Sequence, residues 1–187
     1  MMTTLVCSIS ITILVLLEIL LLIRVARLRK YAYADDLTGI KSFRGFSLHV
    51  KTMINKANRD NTELAIAIVD IDNFRRFNHE SYQLGDCVLK EFCNLLTTTL
   101  PPESLVARFK IGDEFIIAFP NTAKSVAEQH LKQMLAICAS SDFSCLNGLP
   151  GFSVSFSFGI SVYALNEDPG ATIERAEQSL RAHKGHS

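Results

Sequence analysis

The 187-residue chain lacks an excess of charge of either sign: nineteen Lys and Arg balance nineteen Asp and Glu. No strong basic field therefore marks it as a binder of nucleic acid, although a local groove of one sign is still open to it. A cysteine pattern is lacking too. Cys7, Cys87, Cys93, Cys138 and Cys145 are odd in number and scattered, with no CxxC or metal-ligand spacing. That fits a reduced compartment better than a disulfide framework, and structural zinc is not indicated. Cys87 and Cys93 read as core fillers. His49, His79, His130, His183 and His186 form no HxxxH pattern and read as surface residues. Beyond Tyr31 there is no Pro/Gly/Ser linker, low-complexity tract or internal repeat. An apolar share of 48% with 20% charged residues excludes a disordered or collagen-like chain. The length suits one ordinary domain plus an appendage.

What is present begins with a long apolar run. Leu5 to Ile23 carries one charge, Glu18, and is followed by Arg24, Arg27, Arg29 and Lys30. As helix the run measures about 28 Å, close to a bilayer core. The basic cluster places the carboxyl side in the cytoplasm. A cleaved signal peptide fits less well, because the basic cluster is on the wrong side and no small-x-small site follows. Residues 1–30 are thus expected to be a single-pass transmembrane helix with a basic juxtamembrane stalk, and 31–187 a cytoplasmic domain. Leu14, Leu17, Leu21, Val25, Leu28 and Ala32 form a stripe suited to pairing with a second copy. Glu18 reads as facing a partner helix or the cytoplasmic interface.

The remainder alternates helical and strand signals. Asp35 to Ile40 is a turn, and Ser42 to Asn58 has helical spacing. Leu64 to Val69 is the continuous apolar run of a strand buried on both faces. Gly85 to Leu100 is a helix ended by Pro101 and Pro102. Leu105 to Lys110 and Glu114 to Phe119 are strands of a hairpin. Ala123 to Ala139 is a helix, and Phe152 to Tyr163 alternates Phe and Val with Ser as a strand with one wet face. Ala171 to Lys184 is the last helix. The order predicts an α+β sandwich of βαββαβ type, with a mixed sheet and helices covering a face.

Two carboxylate clusters carry potential chemistry: Asp70-Ile71-Asp72 at the end of the first strand and Asp113-Glu114 in the hairpin. In a βαββαβ sheet these converge at one edge. Paired carboxylates with an open face suit Mg²⁺, which leaves its other positions to water and phosphate oxygens; two such ions would clamp a nucleoside triphosphate for in-line attack by a hydroxyl. Acidic strand ends are also commonly just solvated, so the clusters alone leave both readings open.

A set of ordered motifs decides between them. Ile111-Gly112-Asp113-Glu114-Phe115 resembles the signature of the GGDEF domain, the diguanylate cyclase family. Asp35-Asp36-Leu37-Thr38-Gly39-Ile40 resembles DxLTGL, Asp70 through Asn78 resembles DIDxFKxxN, and Gly85-Asp86-Cys87-Val88-Leu89 resembles GDxxL. Phe158-Gly159-Ile160 and Ala176-Glu177 through Lys184 are similar to the family's late strand and terminal helix. The resemblance spans Asp35 to Lys184. It implies a bacterial, ferredoxin-like, palm-type cyclase that joins two GTP into cyclic di-GMP and releases pyrophosphate, as a homodimer with two Mg²⁺ or Mn²⁺ per site; with the apolar run, this places the protein on the bacterial inner membrane. It further implies Asp70 and Asp113 as metal ligands with the Ile71 carbonyl, and Glu114 near the metal and triphosphate. Asn78 and Asp86 would read guanine, since a carboxylate accepts from both N–H groups of the guanine edge. Arg75 and Lys184 would neutralise phosphate.

The chain departs from the family at Ile111, which replaces the first Gly of the signature, and in spacing between Asn78 and Gly85. It has no Arg after Lys184, and Leu100 to Leu105 lacks the RxxD pattern of the product-inhibition site, so tight feedback through that site is not expected. These departures keep open the alternative of a catalytically silent GGDEF-like module that binds GTP or a protein partner.

Overall fold

The computed structural model describes residues 13–25, 33–110 and 112–185. The first segment is helical throughout (α1, 13–25) and bears Glu18 on its exposed surface. At 1.5 Å per residue it is about 20 Å long, short of a bilayer core of about 30 Å. Among the described residues no helix is long and apolar enough to cross a membrane. This corrects the expected single-pass, inner-membrane placement: the apolar run that motivated it is described only in part, and that part is too short. The rest of the run, and Arg27, Arg29, Lys30, Leu28 and Ala32 of the expected stalk, lie outside the described residues, as does Ile111.

The elements that follow are α2 (Phe43–Asp60), β1 (Leu64–Ile71), α3 (Arg75–Glu80), α4 (Tyr82–Thr99), β2 (Leu105–Arg108), β3 (Glu114–Pro120), α5 (Lys124–Ser140), a 3₁₀ turn (Ser144–Leu146), β4 (Phe156–Val162) and α6 (Pro169–Lys184). Local chemistry explains their ends. Ser42 caps α2 by accepting from the Gly45 N–H at 3.3 Å, and Asn61 closes it in the left-handed conformation. Ser81 caps α4 by accepting from the Leu84 N–H at 3.0 Å, which starts this helix three residues before the expected Gly85. The short α3 was not anticipated. The last strand begins at Phe156 rather than Phe152, because its partner β1 ends at Ile71, opposite Phe156. Before it, the Ser155 carbonyl accepts from the Asp72 N–H at 2.9 Å, past the end of β1.

The sheet order is β2-β3-β1-β4, and every neighbouring pair is antiparallel. The expected mixed sheet is corrected: the helical crossovers join strands of like direction, but each such pair is separated by a strand running the other way. Helices cover both faces rather than one. On one side, α4 and α5 pack Val88, Phe92, Leu96, Leu131 and Met134 against Ala65, Ala67 and Val69. On the other, α2 and α6 pack Phe46, Val50, Ile54 and Leu180 against Leu64, Ile66 and Ile68. Cys93 and Cys138 are buried in the first core. Cys87 is only half-buried, so its reading as a core filler is corrected.

The tightest interlayer contact lies between β4 and α6. A Cβ on Gly159 would stand 2.2 Å from the Leu180 backbone nitrogen and 2.3 Å from the Ala176 carbonyl oxygen, so the helix backbone rests directly on the strand. Glu167 fixes the corner between them. Its carboxylate accepts from the Ala164 N–H at 2.7 Å and from Arg175 at 2.6 and 2.9 Å. The Arg175 hydrogen bonds, against the opposing effect of burial and with help from Thr172 and Ala164, bring the Glu167 carboxyl down to about 2. Gly159→Ala is expected to lower stability by about 1–3 kcal/mol, because neither backbone has room to give. Urea unfolding measures this, and an unchanged midpoint would show that the close approach is not needed.

Candidate active site

β1 carries Asp70 to one end of the sheet, where Asp70 pairs in register with Glu114 of β3. The chain then turns: Asn73 takes a positive φ of 54°, a conformation Asn adopts more readily than most residues. The turn is held from the start of β4 and the residue before it. The Asp72 carboxylate accepts from the hydroxyls of Ser155 at 2.9 Å and Ser157 at 2.7 Å. The wet serine face of the last strand thus positions the loop that follows Asp70.

Beyond this turn is an open cavity of about 530 Å³. It brings together Asp70, Ile71, Arg75, Asp113 and Lys184 from β1, α3, the hairpin and the end of α6. Lys184 forms an ion pair with Asp70 through the Asp70 Oδ1. The Ile71 N–H reaches the Asp113 carbonyl at 3.4 Å, while its side chain is in the core. Burial, and then the charge of Asp70, push the Asp113 carboxyl above the ordinary range, with Lys184 acting in the opposite sense. Two hard carboxylates, one of them desolvated and beside the other, form a donor set that fits a divalent cation such as Mg²⁺ or Mn²⁺.

Other residues of the expected site lie nearby without lining this cavity. Glu114 has its Oε2 3.4 Å from Lys110 Nζ, and Lys110 also pairs with Glu177 of α6. Asn78 on α3 is half-buried and Asp86 on α4 is exposed. They flank Gly85, where a Cβ would stand 1.9 Å from the Asn78 Oδ1; the glycine lets α3 and α4 close together at this corner. Gly112 has φ +118°, and its carbonyl accepts from the Arg108 guanidinium. Phe115 is fully buried, with the Arg108 guanidinium 5.2 Å from its ring centre.

Several contributing residues were not singled out from the sequence. Arg76 lines the cavity beside Arg75, its guanidinium 4.9 Å from the Phe77 ring and 5.3 Å from the Phe152 ring. Arg108 is buried and lies 3.7 Å from Asp35, whose carboxylate also accepts from the Thr38 N–H at 3.0 Å. The Arg108 N–H donates to the Lys41 carbonyl at 2.9 Å. The first motif of the domain is thereby tied to the hairpin. The doubled arginine at Arg75-Arg76 was the available signal for the first of these; nothing in the spacing marks the second.

The structure is therefore an antiparallel α+β sandwich with a paired-carboxylate cavity at one end of its central strand. Residues 32–187 match the family described as "Diguanylate cyclase, GGDEF domain", and the chain belongs to that family. It is 34% identical over 153 residues to diguanylate cyclase DgcP of Pseudomonas aeruginosa, covering 81% of this chain and 22% of that protein. It is 27% identical over 151 residues to response regulator PleD of Caulobacter vibrioides, covering 80% of this chain and 33% of that one. The chain thus spans a third or less of these relatives. The fold is similar to the coiled coil and GGDEF domain of DgcB from Caulobacter crescentus in complex with c-di-GMP, with a TM-score of 0.77 at 24% identity over 89% of this chain and 88% of that one. It is also similar to diguanylate cyclase SiaD in complex with its activator SiaC from Pseudomonas aeruginosa, with a TM-score of 0.75 at 23% identity over 97% and 68%.

The raised Asp113 carboxyl has a signed consequence. A folded-state value above the unfolded one favours folding when the group is protonated, and that contribution is lost as pH rises through the folded value. Asp113→Asn is expected to gain thermal stability over the wild type, without added metal, as pH rises from about 3.9 toward neutrality. Melting curves across that range measure it. A constant difference between the two proteins would show that Asp113 is not strained by its charge.

Proposed function

We propose that this chain is a diguanylate cyclase that condenses two GTP into cyclic di-GMP with release of pyrophosphate, as a homodimer in which each domain presents one GTP. The observation that carries the reading is the meeting of Asp70 and Asp113, from separated motifs, in one cavity with Arg75 and Lys184. Asp70 and Asp113, with the Ile71 carbonyl, would hold the divalent cations, two Mg²⁺ or Mn²⁺ per site. The metal supplies neutralisation of triphosphate charge and activation of the attacking hydroxyl. Glu114 acts beside this centre at the head of β3, and Gly112 and Phe115 shape the hairpin that presents it. Arg75 and Lys184 bind phosphate oxygens at the cavity mouth. Asn78 and Asp86 bind guanine at the α3–α4 corner, where an adenine edge would leave the carboxylate facing the wrong groups.

Incubation of the 187-residue chain with GTP and Mg²⁺ or Mn²⁺, with products identified by mass spectrometry, tests the proposal. Cyclic di-GMP is expected from the wild type and none above background from Asp113→Asn. Undiminished product from Asp113→Asn would overturn the assignment. GTP binding by a dimer with no product from the wild type would favour the silent module, for which Ile111 in the signature is the specific motive. Asp86→Ala is expected to raise the KM for GTP about 10- to 100-fold, through loss of the charge-assisted hydrogen bonds to the guanine edge.

A further inference from the structure

Outside the cavity just described, α4 presents Cys87 and Glu91 one turn apart, and the 3₁₀ turn brings Cys145 against them. One ligand atom from each of these residues lies within 4.8 Å of the other two. The Cys87 Sγ is 3.6 Å from Glu91 Oε1. All three residues are half-buried, beside a surface cavity of about 540 Å³ that Glu91 also lines. Glu91 is aimed by its neighbours. It accepts from the Ser144 N–H at 2.8 Å, the Ser144 hydroxyl at 2.5 Å and the Cys145 N–H at 3.3 Å. Burial works to raise the Glu91 carboxyl, but the hydrogen bonds from Ser144, Cys87 and Cys145 outweigh it and bring it below its usual value.

We propose that Cys87, Glu91 and Cys145 form a zinc-class metal site, three protein ligands with a fourth position open to water. The donor set selects the metal. Two thiolates are too soft for Mg²⁺ or Ca²⁺, and the carboxylate is a poor ligand for Cu⁺, whereas Zn²⁺ takes both at once. The size fits as well. With Zn–S near 2.3 Å and Zn–O near 2.1 Å, a tetrahedral ion sets its sulfur and oxygen ligands about 3.6 Å apart, the spacing that Cys87 and Glu91 already have. Drawing in Cys145 needs only a small side-chain adjustment within a turn that hydrogen bonds already tie to Glu91. Binding releases the two thiol protons to solvent as two S–Zn bonds form. Burial, with the neighbouring Cys87 and Glu91, pushes the Cys145 thiol up to about 12, so the ion itself must drive that deprotonation. The bound ion would join α4 to the 141–151 segment, a different part of the molecule from the carboxylate cavity.

The test uses the 187-residue chain, freed of metal by chelation and kept under a non-thiol reductant, titrated with Co²⁺ and then Zn²⁺. One equivalent of Co²⁺ is expected to give the thiolate charge-transfer band and the visible bands of tetrahedral cobalt, and Zn²⁺ to bleach them. Glu91→Gln is expected to weaken Zn²⁺ binding about tenfold or more, and Cys87→Ser with Cys145→Ser to abolish the cobalt spectrum. A second measurement needs no variant: Zn²⁺ should protect Cys87 and Cys145, and not Cys7, from alkylation mapped by mass spectrometry. Absence of stoichiometric Co²⁺ binding, or binding that leaves Cys87 and Cys145 equally reactive, would overturn the proposal.

Discussion

The site depends on the register in which β1 pairs with β3, from Leu64 opposite Pro120 to Asp70 opposite Glu114. Most strands owe their register to one wet face and one dry one, but β1 is buried on both sides. Its faces differ in size instead. Ala65 and Ala67 lie beneath Phe92, Leu96, Leu131 and Met134 of α4 and α5, whereas Leu64, Ile66 and Ile68 face α2 and α6. A slip of one residue would exchange small for large on both faces, overpacking one core while opening voids in the other. The same slip would carry Asp70 away from the α6 side, where Lys184 meets it. Packing along the strand therefore sets electrostatics at its end.

At that end the domain concentrates charge it does not neutralise fully. Asp70 has Lys184, but Asp113 is desolvated and feels Asp70. A fold optimised for stability alone would not hold two carboxylates so close. The arrangement is coherent for a centre whose carboxylates await a cation. The supports are correspondingly firm: Ser157 of β4 and Ser155 just before it hold Asp72, and the backbone contact at Gly159 brings α6 close enough for Lys184 to reach the cavity.

Legibility in the sequence followed sequence distance. Helices with caps, the apolar run of β1 and the hairpin were readable because each signal lies within a few residues. The motifs carrying Asp70 and Asp113 were readable as a family resemblance, and the cavity unites them. The cluster of Cys87, Glu91 and Cys145 was not, since Glu91 and Cys145 are 54 residues apart and no local spacing marks a ligand pair made by two segments. Arg108 was missed for a related reason. A single arginine in a strand says nothing of the turn at Asp35 that it meets. The apolar run at the amino terminus shows the opposite failure: a strong local signal predicted a span for which no described helix is long enough.

By itself the sequence determined most of the helices and strands, though neither α3 nor the start of β4, and that the domain is α+β, because these follow from periodicity and short-range order along the chain; which carboxylates belong to the motifs followed from the family resemblance. The tertiary structure alone decided that the sheet is wholly antiparallel with helices on both faces. It also decided that Asp70, Asp113, Arg75 and Lys184 share one cavity while Asn78 and Asp86 stand at the next corner, and that two distant cysteines meet a glutamate. Those outcomes rest on strand order and layer packing, which are fixed by contacts between residues far apart in the chain, where hydrophobic pattern carries no address.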